Sequence, residues 1–123
     1  MDFSFVATLM RRKALVLPAA LMLSMPVWSF DKDAATDLAK KSGCTKCHDV
    51  EKKKDGPAYR DVAAKFRGTP DAEAKLIHHV TSGEKVKFPD GHQEEHKKIK
   101  TKDEAEIKNL LAWILSLEGG TKY

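Results

Sequence analysis

Residues 44–48 read Cys-Thr-Lys-Cys-His, and no other feature of the chain constrains its fold so tightly. Two thiols three positions apart can reach both vinyl groups of one porphyrin and form thioethers. The adjacent imidazole then comes up beneath the iron as its proximal ligand. Rival chemistries need a context that the sequence lacks. A thioredoxin-like dithiol wants a βαβ setting, and a structural zinc site wants two more ligands at suitable spacing. A chance match is the remaining alternative. Covalent haem attachment through Cys44 and Cys47, with His48 on the iron, is the expected reading.

The first thirty residues read as an address. Arg11-Arg12-Lys13 is a compact positive cluster, and Ala14 to Met25 is apolar except for Ser24, with Pro18 inside it. Val27-Trp28-Ser29 then offers a branched residue and a small one before Phe30. This is the layout of a secretory signal peptide. An uncleaved anchor is the alternative, but a bilayer span needs about 20 apolar residues and this run is shorter. The paired arginines alone do not argue for twin-arginine export. The expected organisation is a cleaved leader over residues 1–29 and one domain over residues 30–123, the latter periplasmic. That compartment suits the motif, because the attachment is made outside the cytoplasm in bacteria. No membrane span is expected after cleavage.

Cleavage changes the charge arithmetic. The whole chain carries 22 Lys and Arg against 18 Asp and Glu, a formal +4 in 123 residues. Removing Arg11, Arg12, Lys13 and Asp2 leaves +2 on the 94 residues from Phe30 to Tyr123. Two haem propionates would bring that near neutral, so the basic character is no argument for a polyanion partner. So short a chain buries a modest core, and a bound cofactor would help to stabilise it.

Hydrophobic periodicity predicts about four helices and no convincing strand. Asp31 to Ser42 forms the first, closed by Gly43, a residue suited to a left-handed helix end. Gly56-Pro57 breaks the chain, and Tyr59, Val62, Ala63 and Phe66 then mark one face of a second helix. Thr69 as N-cap and Pro70 at the first helical position open a third, with Leu76, Ile77 and Val80 apolar and Gly83 at its end. Residues 84–100 are polar and irregular. Thr101 to Glu104 spells a capping box for the last helix, whose apolar residues surround Trp113.

On these residues the chain resembles a small class I c-type cytochrome of bacterial type. The likeness is carried by Ala39 to His48, Gly56 to Phe66, Asp71 to Leu76 and Leu110 to Leu117. It implies an all-α cytochrome c fold, wrapped round one covalently attached haem c with its iron. It implies that the first and last helices cross near Leu38 and Trp113. It also implies that the backbone carbonyl of Pro57 holds the proximal imidazole by its other nitrogen.

One departure from the family is sharp. The usual sixth ligand is a Met in the loop before the last helix, and all four methionines (Met1, Met10, Met22 and Met25) lie in the leader. The segment reads Phe-Pro-Asp-Gly-His-Gln-Glu-Glu-His from Phe88 to His96 instead. His92 or His96 is the expected distal iron ligand. His92 is preferred, because Gly91 lets the backbone approach the porphyrin and Phe88-Pro89 supplies an apolar lining. His96, among Glu94, Glu95, Lys97 and Lys98, looks solvated. His78 and His79 are weaker candidates, read mainly as partly exposed flanks of the third helix. An open site, or another weak ligand such as Lys or Asn, stays possible. Two imidazoles imply a lower potential than His/Met ligation gives.

His92-Gln-Glu-Glu-His96 also spells an inverted zinc-hydrolase motif, which would need both histidines on one helix face and a third ligand. Lys52-Lys53-Lys54 and the lysines at 97, 98, 100 and 102 read as solvated loops or as a docking surface near the haem edge. Nucleic-acid binding is not expected, since no aromatic residues interleave with these charges. The expected function is a periplasmic one-electron carrier, not an enzyme. It would be a monomer that docks transiently with other redox proteins, such as a multihaem cytochrome or a membrane oxidase or reductase. The alternative is a haem enzyme or gas sensor with an open or displaceable sixth site.

Overall fold

The computed structural model describes residues 29–121. The leader features Arg11-Arg12-Lys13, the apolar run to Met25, Val27 and Trp28 lie outside the described residues. Among the described residues no helix is long and apolar enough to cross a membrane.

Among the described residues four α-helices carry the fold: α1 Lys32–Lys41, α2 Tyr59–Phe66, α3 Ala72–Ser82 and α4 Glu104–Leu115. A single 3₁₀ turn, Cys44–Lys46, follows α1. Each helix has a local cause. Asp31 caps α1 by accepting a hydrogen bond from the Ala34 N–H, and Gly43 leaves it at φ 77°. A residue with a Cβ resists that angle, so the chain turns sharply into the Cys-Cys-His segment.

The α4 helix is the spine of the molecule, packing against α1, α2 and α3. Ile107, Leu110, Leu111, Trp113 and Ile114 are all buried on it. They meet Ala35, Leu38 and Ala39 of α1, Tyr59 of α2 and Leu76 of α3 in one apolar cluster. Leu38 and Trp113 thus belong to the core formed where α1 meets α4, in line with the expectation. Polar groups pin the same pair of helices. The Asn109 amide donates to the Asp31 carbonyl at 2.8 Å, and its side-chain oxygen accepts from the Asp31 N–H at 2.7 Å. Ser42, buried at the end of α1, accepts from the Lys100 N–H at 2.9 Å.

The structure corrects the sequence reading in three places. The segment after α3 is not wholly irregular: β1 Lys85–Lys87 and β2 Gln93–Glu95 form an antiparallel hairpin, with Lys85 opposite Glu95 and Lys87 opposite Gln93. The α3 helix begins after Asp71, two residues beyond the expected Thr69-Pro70 start. The cap of α4 is Asp103, whose carboxylate accepts from the Ala105 N–H, while Thr101 supports it by accepting from the Asp103 N–H. At α4 the Thr-led signal lost to an aspartate closer to the helix, and a carboxylate is at least as good an N-cap; at α3 the Asp71 side chain makes no capping hydrogen bond and pairs with Lys75 at 2.9 Å instead.

Candidate functional site

Cys44, Thr45 and Lys46 make the 3₁₀ turn, and Cys47 closes it through its N–H to the Cys44 carbonyl. His48 follows, its N–H also bonded to the Cys44 carbonyl at 2.9 Å. The turn sets both thiols and the imidazole around one short stretch of backbone. Cys44 and Cys47 are partly buried and free of any disulfide. Burial pushes the Cys44 thiol pKa up, which keeps it neutral.

His48 is fixed on three sides. Its Nδ1–H donates to the Pro57 carbonyl at 2.7 Å, so Nε2 is the nitrogen left to bind a metal. Tyr59 stacks on the ring, with centroids 5.4 Å apart and planes at 17°. Trp113 meets Tyr59 edge-on at 5.7 Å, joining the imidazole to the core. Gly56 leaves room for the ring, since a Cβ there would stand 2.5 Å from His48 Cε1. Sequence reasoning treated Gly56-Pro57 as a chain break with a helpful carbonyl and missed this steric role. Burial also holds the His48 pKa below its ordinary value, which favours the neutral form that ligates.

Two hollows open beside His48. One, of about 610 Å³, runs between α2, α3 and α4 past Val62, Leu76, Leu110 and Leu111. The other, of about 280 Å³, lies under the hairpin and includes Cys47, Gly56 and Val86. They share Cys44, His48, Pro57, His79 and His96 as walls. The larger falls within the usual volume range of ligand and cofactor sites, and both are mostly apolar.

The two candidate distal histidines part company here. His96 stands at the base of the hairpin, its N–H bonded to the Glu84 carbonyl at 2.9 Å. Its ring lies 6.2 Å from that of His48, centroid to centroid, with planes at 54°. Its Nδ1 is buried with no hydrogen-bond partner. Burial, with His79 and His48 close by, pulls its pKa down to about 4, so the ring is neutral. His92 stands at the hairpin tip instead. It is exposed, stacks on Phe88 at 4.4 Å, bonds the Asp90 carboxylate through Nδ1, and approaches Glu94 at 3.2 Å. Those carboxylates hold its pKa above the usual value, and it lines neither hollow. His96, and not His92, thus lies beside His48 and lines both hollows. Gly91, at φ 94°, sits in the hairpin turn with its N–H bonded to the Phe88 carbonyl at 2.9 Å, and Phe88 lies against His92 at that tip.

The zinc-hydrolase spacing dissolves for the same reason. The residues between His92 and His96 form a strand, not a helical turn, so the two rings share no helix face. Among the described residues no three His, Cys, Asp or Glu side chains are grouped to hold a metal ion. His78 is exposed; His79 is half-buried and lines both hollows.

A turn carrying two free thiols and an oriented imidazole is thus set against an apolar hollow among the helices. The sequence profile described as Cytochrome c matches residues 33–118. The chain belongs to the cytochrome c family. The crystal structure of the class 1 cytochrome MtoD from Sideroxydans lithotrophicus ES-1 superposes with a TM-score of 0.69 at 64% identity, over 72% of this chain and 97% of that one. Cytochrome c-551 of Allochromatium vinosum is 42% identical over 80 residues, which are 65% of this chain and 82% of that protein. The crystal structure of Nitrosomonas europaea cytochrome c552 aligns at 35% identity and a TM-score of 0.55, over 68% of this chain and 99% of that one. This cytochrome is thus a small class I c-type member with the mostly helical fold of its family. Its cofactor is covalently attached haem c with iron.

The residues fit that group on grounds of their own. An iron held between two imidazoles, with metal–nitrogen bonds of about 2.1 Å, would bring their centroids about 6.4 Å apart. The His48 and His96 rings are 6.2 Å apart and line the same two hollows.

Proposed function

We propose that this cytochrome is a periplasmic one-electron carrier whose haem is held by Cys44 and Cys47 and whose iron is held by His48 and His96. The observation that carries the ligand pair is the 6.2 Å separation of the two imidazoles across an apolar hollow. The haem supplies the one-electron iron couple. The chain's own residues orient, exclude water and tune.

His48 acts through the nitrogen that Pro57 leaves free, and the Pro57 hydrogen bond together with Tyr59 stops the ring from rotating. A ligand held in one orientation needs little rearrangement when charge changes. Leu76, Leu110 and Leu111 keep water from the hollow and lower its local dielectric. A second imidazole in place of a thioether sulfur favours the oxidised iron more, so the potential lies below that of a His/Met protein of this fold. An iron held by both imidazoles would offer small gases no open site.

The export reading rests on the leader pattern of residues 1–29, and residues 30–123 are the working domain. The chain works as a monomer, and its partners are other redox proteins, met transiently. Exposed lysines lie on both sides of the haem motif: Lys46 within it, Lys52 and Lys53 after it, and Lys97 beside the second hollow. Charges so arranged steer encounter with an acidic partner more than they add affinity.

Carbon monoxide tests the reading. The reduced holoprotein is expected not to bind it on mixing. Fast stoichiometric binding would instead support a gas sensor or haem enzyme.

A further inference from the structure

His48 owes its orientation to the Pro57 carbonyl. His96 has no such partner, because its Nδ1 is buried and unbonded. Something else must fix how that ring is turned. The ring packed on it is His79, with centroids 4.1 Å apart and planes at 45°. His79 in turn gives its Nδ1 to the carboxylate of Glu84.

Glu84 reaches His96 a second way. The α3 helix ends at Ser82, and Gly83 at φ 71° swings the chain back, so that the next carbonyl points at the base of the hairpin. That carbonyl accepts the His96 N–H at 2.9 Å. One residue therefore anchors the main chain of His96 and, through His79, braces its ring. We propose that Glu84 is the positioning residue of the distal iron ligand, working through His79.

The role is not one of stability. The Glu84 carboxylate is 42% exposed and His79 is 34% exposed, and an ion pair so open to water contributes little to folding. Its effect is on direction. Holding His79 by one nitrogen fixes the plane of that ring, and the plane of His79 limits the rotation of His96. The 54° between the His48 and His96 planes is the quantity at stake. His78, whose Nε2 is 3.9 Å from the other Glu84 oxygen, is exposed and offers no such bracing.

The inference rests on His96 as the distal ligand, and one set of spectra separates the two claims. In a ferric haem with two imidazole ligands, the electron paramagnetic resonance g values follow the angle between the ligand planes. Ferric wild-type holoprotein should give a low-spin bis-imidazole signal. His79→Ala and Glu84→Ala should move its largest g value by more than the linewidth while leaving the far-ultraviolet circular dichroism unchanged. Glu84→Gln, which keeps a hydrogen-bond acceptor, should restore the wild-type signal. The same g values in all four proteins would overturn the positioning role. Should His79→Ala fail to hold haem, the comparison of Glu84→Ala with Glu84→Gln decides alone. A wild-type signal without bis-imidazole character would overturn the ligand pair itself. Loss of the low-spin signal in His79→Ala, with His96→Ala unaffected, would make His79 the ligand and overturn both.

Discussion

Gly56 lies so close to His48 that a Cβ on it would stand 2.5 Å from Cε1 of the imidazole and 2.9 Å from Nδ1. The Gly56 N–H also donates to the Cys47 carbonyl at 2.8 Å, tying the two ends of the haem-attachment segment. Neither the ring nor the backbone beside it has room to yield without disturbing the bond to Pro57. Gly56→Ala is expected to cost about 1–3 kcal/mol, the range for overpacking. It should also alter the visible spectrum of the haem. Denaturant unfolding followed at the Soret band measures both. A variant with wild-type stability and spectrum would show that the loop gives way freely.

Trp113 reaches His48 through one intervening ring. It is 4% exposed and meets Tyr59 edge-on, and Tyr59 stacks on His48. Trp113→Ala is expected to destabilise the protein by about 3–5 kcal/mol, as large aromatic-to-alanine changes in cores do. Trp113→Phe should recover part of the loss. Chemical denaturation of the holoproteins provides the comparison.

Asn109 tests the joint between α1 and α4 without touching the site. Its side chain makes two hydrogen bonds to the backbone of Asp31, at 2.7 and 2.8 Å. Asn109→Ala should cost about 1–3 kcal/mol, for two hydrogen bonds of about 0.5–1.5 kcal/mol each, and leave the haem spectrum as it was. A shifted spectrum would mean that the helix crossing and the iron site are coupled more tightly than the packing indicates.

Haem removal has a clear expected result. The described chain encloses hollows of about 610 and 280 Å³ between its helices and under its hairpin. A small domain whose interior is designed around a missing group has little apolar contact to replace it. The apoprotein should therefore lose most of its helical circular dichroism at room temperature. An apoprotein with the full helical signal would contradict this.

The helices were legible because each shows its apolar residues at helical spacing, and the attachment motif was legible because its chemistry is local. Cys44, Cys47, His48 and the Pro57 carbonyl all fall within fourteen residues of one another, so the sequence alone brings them together. The distal side was harder. The choice between His92 and His96 depends on strand pairing, which is not local. With Lys87 opposite Gln93, His92 falls at the tip and His96 at the base. A signal for this was present. Pro89-Asp90-Gly91 is a strong turn sequence, and reading it as a hairpin turn puts Gly91 at the bend and sends His96 back toward α3. The brace formed by His79 and Glu84 was not legible at all, since nothing in the sequence says which flank of α3 faces the hairpin.

His92 offers a direct control on the proposed ligand pair. It is exposed and bonded to Asp90 at the hairpin tip. His92→Ala should leave the spectrum, the potential and the resistance to carbon monoxide unchanged. A change in any of them would return His92 to the iron.

The central claim is that His48 and His96 together hold the iron, and near-infrared magnetic circular dichroism of the ferric holoprotein tests it most directly. The wild type and His92→Ala should both show the charge-transfer band of a low-spin haem with two imidazole ligands. His96→Ala should lose it. A wild-type spectrum of high-spin iron, or a bis-imidazole band that survives in His96→Ala and disappears in His92→Ala, would contradict the account.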